Sequence, residues 1–456
     1  MTRIAIDAQA AVGTLDAWRH SVGHGGINAL PLPERVIKGM NKLKPRWIRI
    51  FIQEFFAIYP DHGRFDWSCL DPYMDALART GARVVAAMTI KPKPLYPEID
   101  HSLWRPRDVS EWQEVVRRLV QRYSVEKPIV THWEIGNEPD IGEAGGSPYL
   151  IRDPQAYSEY YALTVRPILE AFPQARVGGP AMASLLSEPL PGLIRFCKQT
   201  GTPLDFLTWH LYHSDPSLHA YQVRAARLLA SELPKPPELM VTEWSTFPGA
   251  WNQGESTLST EEQAFDPRRA AMAAATILEM RNAGLDGSFY YHLWDQVCDA
   301  RDFAPFFSPQ GVANMLHHWN EAPHRLGLFG VNGEVRPQYF VYQMLARLGE
   351  TQIAASADDA DVHVLAGQDA DGISVMLVNH SLDAQRDRVA TCCFSNLEAG
   401  AKQLTVYRVD HQQRWDADHL ELLPVEQRQT YTQHTFQCQI GLPANSVALV
   451  KLSICE

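Results

Sequence analysis

Between about residues 20 and 345 this chain repeats one pattern: a short apolar run, a longer amphipathic stretch, then another apolar run. The runs at 47–51, 82–90, 129–135, 175–182, 205–212, 239–243 and 288–294 have the length and continuity of strands buried on both faces. Helical patterns fill the gaps, among them 33–43, 71–80, 109–123, 154–171, 219–233 and 266–283. In the third of these, Val115, Val116, Leu119 and Val120 share one stripe and Arg117, Arg118 and Arg122 lie outside it, so one face is built to be buried. Gly81, Gly201 and Gly284 follow helical patterns at points where a left-handed residue would end them. Strand and helix in strict alternation dictate a parallel sheet with helical crossovers. With a weaker first strand near 19–23, the units cover close to the ~250 residues that a closed (β/α)₈ TIM barrel needs. The barrel is therefore expected over residues 15–348.

Past Leu348-Gly349 the period changes from helical to alternating. Segments at 362–365, 373–378, 403–409, 434–440 and 447–452 read as strands separated by turns, with no long helical pattern between them. That predicts an accessory antiparallel β-sandwich from residues 349–456, to which residues 1–14 add a strand through Ile4-Ala5-Ile6. The stretch 295–330 reads as a long loop, rich in aromatic residues, proline, glycine and histidine, at the end of a barrel strand. Such a loop shapes a pocket more often than it idles.

The formal net charge of −12 argues against nucleic acid or an anionic membrane surface as partner and suits a neutral ligand. No run of ~18 apolar residues is present to span a bilayer. The first residues lack the apolar stretch of a signal peptide. With seven cysteines and no CxxC pair, neither a zinc framework nor a disulfide scaffold is indicated, and reduced thiols in a cytoplasmic protein are expected. His317-His318 has no third ligand at a recognisable spacing and reads as solvated loop, so no metal is expected.

Two of the apolar runs end in glutamate. Ile129–Ile135 leads into Gly136-Asn137-Glu138-Pro139, and Leu239-Met240-Val241-Thr242 leads into Glu243-Trp244. Strand ends converge on one face of a barrel, so carboxylates ending strands four and seven face each other across its mouth. Alone, Asn-Glu-Pro is a turn. The pair at barrel spacing carries the chemistry of a retaining glycosidase, with Glu138 as acid/base and Glu243 as nucleophile. Arg49, ending an early strand, and Tyr212, ending the sixth, are placed to keep the nucleophile ionised. Asn137 is expected to bind a sugar hydroxyl, and His210 shares a strand face with Tyr212. Trp294 is expected to end the eighth strand and stack on a sugar. Glu134, four residues before the acid/base on the same face, needs a cation such as Arg49 or a lysine.

These residues, with several others, resemble glycoside hydrolases of clan A, and most closely family 39, which holds β-xylosidases and α-L-iduronidases. The resemblance rests on Ser21-Val22-Gly23-His24-Gly25, Trp47-Ile48-Arg49, Arg64-Phe65-Asp66-Trp67, Glu134 to Asp140, Val241-Thr242-Glu243-Trp244 and Leu328-Phe329-Gly330-Val331-Asn332-Gly333. It runs over roughly residues 15–350 and implies a retaining mechanism without a cofactor, acting on a carbohydrate. The chain departs from the family in having Gly136 before Asn137 and Trp244-Ser245 after the nucleophile. Gly136 is expected to leave room beside the acid/base. The leading expectation is an exo-acting retaining glycosidase on β-xylosides, α-L-arabinosides or β-glucosides. An endo-acting polysaccharide hydrolase and a catalytically silent sugar-binding barrel are the alternatives, and oligomeric state is not legible.

Overall fold

The computed structural model describes every residue except 248–250, 253–254, 257–261, 263, 324, 384, 412–416 and 455–456, so Cys455 lies outside the described residues. Strand β1 is Thr2–Thr14. It is followed by β2 (His20–Gly23), β3 (Trp47–Ile52), β4 (Arg83–Met88), β5 (Val130–Ile135), β6 (Arg176–Met182), β7 (Phe206–Tyr212) and β8 (Glu238–Ser245). A short hairpin, β9 (Trp251–Asn252) with β10 (Glu255–Ser256), precedes β11 (Gly287–Tyr291). Strands β2 to β8 and β11 close into an eight-stranded parallel barrel, in the order expected for (β/α)₈. The weak first strand is present as β2, and its polar residues explain the faint signal.

The connecting helices follow local chemistry. Val109–Val120 starts at Asp108, whose carboxylate accepts from the backbone N–H groups of Ser110 and Glu111, and it buries Trp112, Val115, Val116, Leu119 and Val120. Pro189–Thr200 begins on a proline and ends at Gly201 with φ +72°. Arg268–Asn282 is alanine-rich and buried almost all round, because it is held between the barrel and the second domain.

Inside the barrel, Trp47, Val85, Phe206, Met240 and Phe289 form an apolar plug. His132 joins it edge-on to Trp47 and tilted against Phe206, while Trp133 on the other face of β5 packs outward. Simple alternation upward from Met240 would turn Thr242 inward and Glu243 toward the helices. The β7–β8 register instead slips between Trp209↔Val241 and His210↔Glu243. This bulge points Glu243 into the barrel mouth and returns Trp244 to the outer core.

The second domain contains β12 (Thr351–Ala357), β13 (Val362–Asp369), β14 (Gly372–Asn379), β15 (Arg388–Ser395), β16 (Gly400–Val409), β17 (Pro424–Thr432), β18 (Thr435–Leu442) and β19 (Ser446–Ile454). With β1 they form one nine-stranded sheet in the order β17-β16-β19-β14-β13-β12-β1-β15-β18. The expected domain is thus mostly antiparallel, with two differences. Strand β1 pairs parallel with β15, and the pairing is continuous across all nine strands. One buried cluster takes Val406 and Val450 from one half of the sheet and Ile4, Cys392 and Ile440 from the other, so the sheet folds over a single core.

The stretch 295–330 is more ordered than a loop. It carries helices Ala300–Phe303 and Pro309–Leu316 and a wide helical turn, His317–Glu321. Ile27, Phe303, Phe307, Met315 and Trp319 pack together beneath it. Among the described residues no helix is long and apolar enough to cross a membrane.

Candidate active site

At the C-terminal mouth of the barrel lies a cavity of about 460 Å³ lined by Asn137, Glu138, Tyr212, Glu243 and Tyr291 among others. Its floor is a buried polar network centred on Arg49, which points inward from β3 two residues above Trp47. The Arg49 guanidinium donates from Nε to Glu134 (2.6 Å), from Nη1 to Glu243 Oε1 (2.7 Å) and from Nη2 to Asn137 Oδ1 (2.8 Å). Three of its donors therefore meet three oxygens, the use for which a planar fork is suited. Burial works against its charge, but Glu134 and Glu243 outweigh this and hold its pKa above the usual value.

Glu243 Oε2 accepts from the Tyr212 hydroxyl at 2.7 Å. Both of its oxygens thus receive hydrogen bonds that favour the carboxylate. Burial pushes its pKa up and Glu138 adds to this, while His210, Arg49 and Tyr212 oppose it; the net direction is upward. Among the described residues no arginine or lysine bonds to Glu138. Burial, helped by Asp140 and only partly opposed by Arg49, raises its pKa to about 8. His210 Nδ1 lies 2.8 Å from Glu138 Oε1 and 3.6 Å from Glu243 Oε2. Burial lowers the pKa of this ring, with the Glu243 charge opposing it. One oxygen of each glutamate and a ring nitrogen of His210 all fall within 4.8 Å of one another. That closeness matches the ~5–5.5 Å separation of retaining pairs and not the ~6.5–9.5 Å of inverting pairs. Such a trio could in principle grip a cation, but the Arg49 guanidinium already neutralises Glu243.

Local backbone explains why Glu138 stands where it does. Strand β5 ends at Ile135, Gly136 has φ +96° and Glu138 itself has φ +40°, a sparsely populated conformation for a residue with a side chain. The Glu138 N–H donates to Ala181 O at 2.8 Å, and its carbonyl accepts from Ile141 and Gly142. A Cβ on Gly136 would face Pro139 and Pro180, each nearly 4 Å away, and Gly136 does not line the cavity. The glycine serves the backbone turn and makes no room for substrate, contrary to the expectation from sequence. Gly145 is the glycine that matters for space: a Cβ there would sit 1.9 Å from Glu138 Oε2.

The remaining expected residues divide into groups. Asn137 lines the cavity, with its Nδ2 donating to Gly145 O at 3.2 Å. Tyr212 is about one-third exposed there, whereas Arg49 and His210 are sealed below and touch Glu243 and Glu138 respectively from beneath. Trp294 is displaced from its expected role. Strand β11 stops at Tyr291, and Trp294 bridges to Phe329, is buried in the main core and donates weakly to Val331 O at 3.4 Å. The aromatic residue at the end of the eighth strand that faces the cavity is Tyr291, edge-on to Tyr212. Sequence reading missed it because the run from Phe289 to Trp294 is aromatic and apolar nearly throughout and gives no sign of where pairing stops. It also missed Gln53, Phe51 and Phe247 in the wall. His318 lines the cavity rather than standing in solvent.

A lid closes one side. Glu143 accepts from the Ser308 N–H at 2.7 Å and from the Ser308 hydroxyl, which also caps the helix Pro309–Leu316. This fastens the stretch after β11 to the segment after β5.

The family model described as "Glycosyl hydrolases family 39" matches residues 3–393. A β-xylosidase of Caldicellulosiruptor saccharolyticus is 23% identical over 334 residues, covering 70% of this chain and 64% of that protein. One of Geobacillus stearothermophilus is 24% identical over 259 residues, 54% of this chain and 47% of that protein. Each match spans less than two thirds of the relative's own length. The crystal structure of a monomeric β-xylosidase from Caulobacter crescentus CB15 superposes with a TM-score of 0.76 at 19% identity, covering 100% of both chains, and so shares the fold.

Proposed function

This chain belongs to glycosyl hydrolase family 39, and we propose from that premise that it is a retaining exo-glycosidase acting on β-xylosides or related glycosides. The observation that carries the reading is the unequal pair of carboxyls, with oxygens within 4.8 Å of each other and, among the described residues, an arginine bonded to Glu243 alone. In the first step Glu243 attacks the anomeric carbon. The bond from that carbon to the aglycone oxygen breaks, and the proton of Glu138 passes to the departing oxygen. In the second step Glu138, now a carboxylate, takes a proton from water as the water oxygen attacks the same carbon and releases Glu243. Two inversions give net retention.

Arg49 and Tyr212 keep Glu243 ionised before attack. Asn137, itself held by Arg49, presents an amide to the sugar beside the reacting bond. The xyloside preference is supported by the β-xylosidase relatives; exo action is supported by the lid, which the Glu143–Ser308 link fastens and whose Phe303, Met315 and Trp319 line the cavity. The sequence is read as that of a cytoplasmic protein whose partner is a carbohydrate.

The test is hydrolysis of aryl β-xyloside, β-glucoside, β-galactoside and α-L-arabinosides by wild type and Glu243→Ala, with the product anomer followed by NMR. Phenol release that is lost in the variant, with the anomeric configuration kept, is expected. Release that survives the substitution, or an inverted product, would overturn the assignment.

A further inference from the structure

The side of the cavity where the aglycone must leave is apolar. Glu138 marks that side, because the group that receives its proton stands beside it. Gly145 backs its Oε2, and Ile141, Ala144, Gly145 and Gly146 all line the cavity from the same segment. Facing them is the lid: a Cβ on Gly146 would lie 3.9 Å from Met315 Sδ, and Met315 lines the cavity from the helix that Ser308 caps. Ile27, Phe303, Trp319 and Leu326 extend the apolar wall. Among the described lining residues the side chains with a polar atom are Gln53, Asn137, Glu138, Tyr212, Glu243, Tyr291, His318 and Trp319. Four of these belong to the catalytic network, and the Gln53 amide nitrogen is already committed to Gly146 O at 2.8 Å.

A second sugar unit leaving from this side would bring several hydroxyls against Ile141, Ala144 and Met315, whose side chains offer them no strong hydrogen bond. Buried polar groups left unbonded are costly. Methylene or aryl carbon gains from the same surface. Resting on the glycosidase reading above, we propose that the natural substrate is a glycoside of an apolar alcohol or phenol rather than an oligosaccharide, with the aglycone held between the Ile141–Gly146 segment and Met315. The chemistry is unchanged: the proton of Glu138 goes to the oxygen of the apolar alcohol, which departs as the free alcohol.

A series with one leaving-group chemistry separates binding from reactivity. Methyl, butyl and hexyl β-glycosides of the sugar selected by the aryl panel, below their micelle concentrations, are compared with the matching disaccharide. Every buried methylene is expected to raise kcat/KM about fourfold until the cavity fills. The disaccharide should fall below the butyl glycoside. A flat alkyl series, or a disaccharide hydrolysed best, overturns this proposal and leaves the glycosidase reading intact. No turnover of any compound, aryl glycosides included, overturns both. Met315→Gln, similar in size but polar, should reduce the hexyl-to-methyl ratio about fifteenfold, roughly what two methylenes contribute. An unchanged ratio in a folded variant would refute Met315 as part of the aglycone wall.

Discussion

Replacing Glu138 with glutamine tests the central electrostatic claim. A carboxyl with its pKa raised to about 8 is ~90% protonated at pH 7, whereas one at the ordinary 4.5 would be ~0.3% protonated. Burial at this position therefore enlarges the population of competent acid about 300-fold at neutrality. Two consequences follow for kcat/KM measured against pH. The basic limb of the wild-type profile should fall near pH 8, where the free enzyme loses the Glu138 proton. The acid limb should lie above the usual carboxylate range, because Glu243 is also shifted upward. In Glu138→Gln the basic limb should vanish while the acid limb stays. The loss should depend on the leaving group. An alkyl glycoside, whose departing oxygen must be protonated, should lose about 10²–10⁴-fold, and a glycoside of a strongly acidic phenol should lose little in its first step. Added azide should restore turnover of that phenol glycoside and give a glycosyl azide of retained configuration. A basic limb near pH 8 that survives in Glu138→Gln would show that another group titrates there and would refute the assignment of Glu138 as the acid.

The same substitution should stabilise the fold. A carboxyl with a raised pKa holds its proton in the folded state while the unfolded chain has lost it, so wild-type stability declines as pH rises from about 4.5 to about 8; Glu138→Gln should gain on the order of a few kcal/mol at pH 8 and almost nothing at pH 4, as read by urea unfolding at both pH values. Arg49→Met leaves Glu134 buried without its cation and should destabilise the protein by about 3–5 kcal/mol. Arg49→Lys keeps the charge but cannot reproduce three donors, and it should fold while moving the acid limb upward; an unmoved limb would remove Arg49 from the control of Glu243. Gly145→Ala puts a methyl where Glu138 Oε2 now lies and should lower alkyl-glycoside turnover at least ~10-fold while sparing acidic phenol leaving groups. Ser308→Ala removes a cap and half of the lid fastening, a loss of ~1 kcal/mol that should appear as a KM about fivefold higher with kcat retained.

What could be read from the sequence and what could not differ for a physical reason. Strand-and-helix alternation is a local property, since each strand is an apolar run and each helix a stripe, so the barrel and the positions of Glu138 and Glu243 near strand ends follow from local pattern. The inward aim of Glu243 is not local. It depends on one extra residue in β8 relative to β7, and a bulge of that kind leaves no mark in the composition of Leu239-Met240-Val241-Thr242. The Arg49 contacts to Glu134 and Glu243 join residues 85 and 194 positions apart, and they become foreseeable only once the barrel is assumed, because a buried carboxylate then requires a buried cation. Trp294 and Tyr291 mark the opposite limit. Both are aromatic, both follow an apolar run, and three residues separate the core from the cavity; what decides between them is where strand β11 stops, at Tyr291. The lid is harder still. Its helices are short, and they are held by Phe303, Phe307 and Trp319 packing on Ile27 and by Ser308 reaching Glu143, contacts that no period within residues 295–330 encodes. Chemistry carried at strand ends is therefore visible in this chain before its structure is known. The lid and the wall beside Glu138, built from contacts between distant segments, become visible only after it.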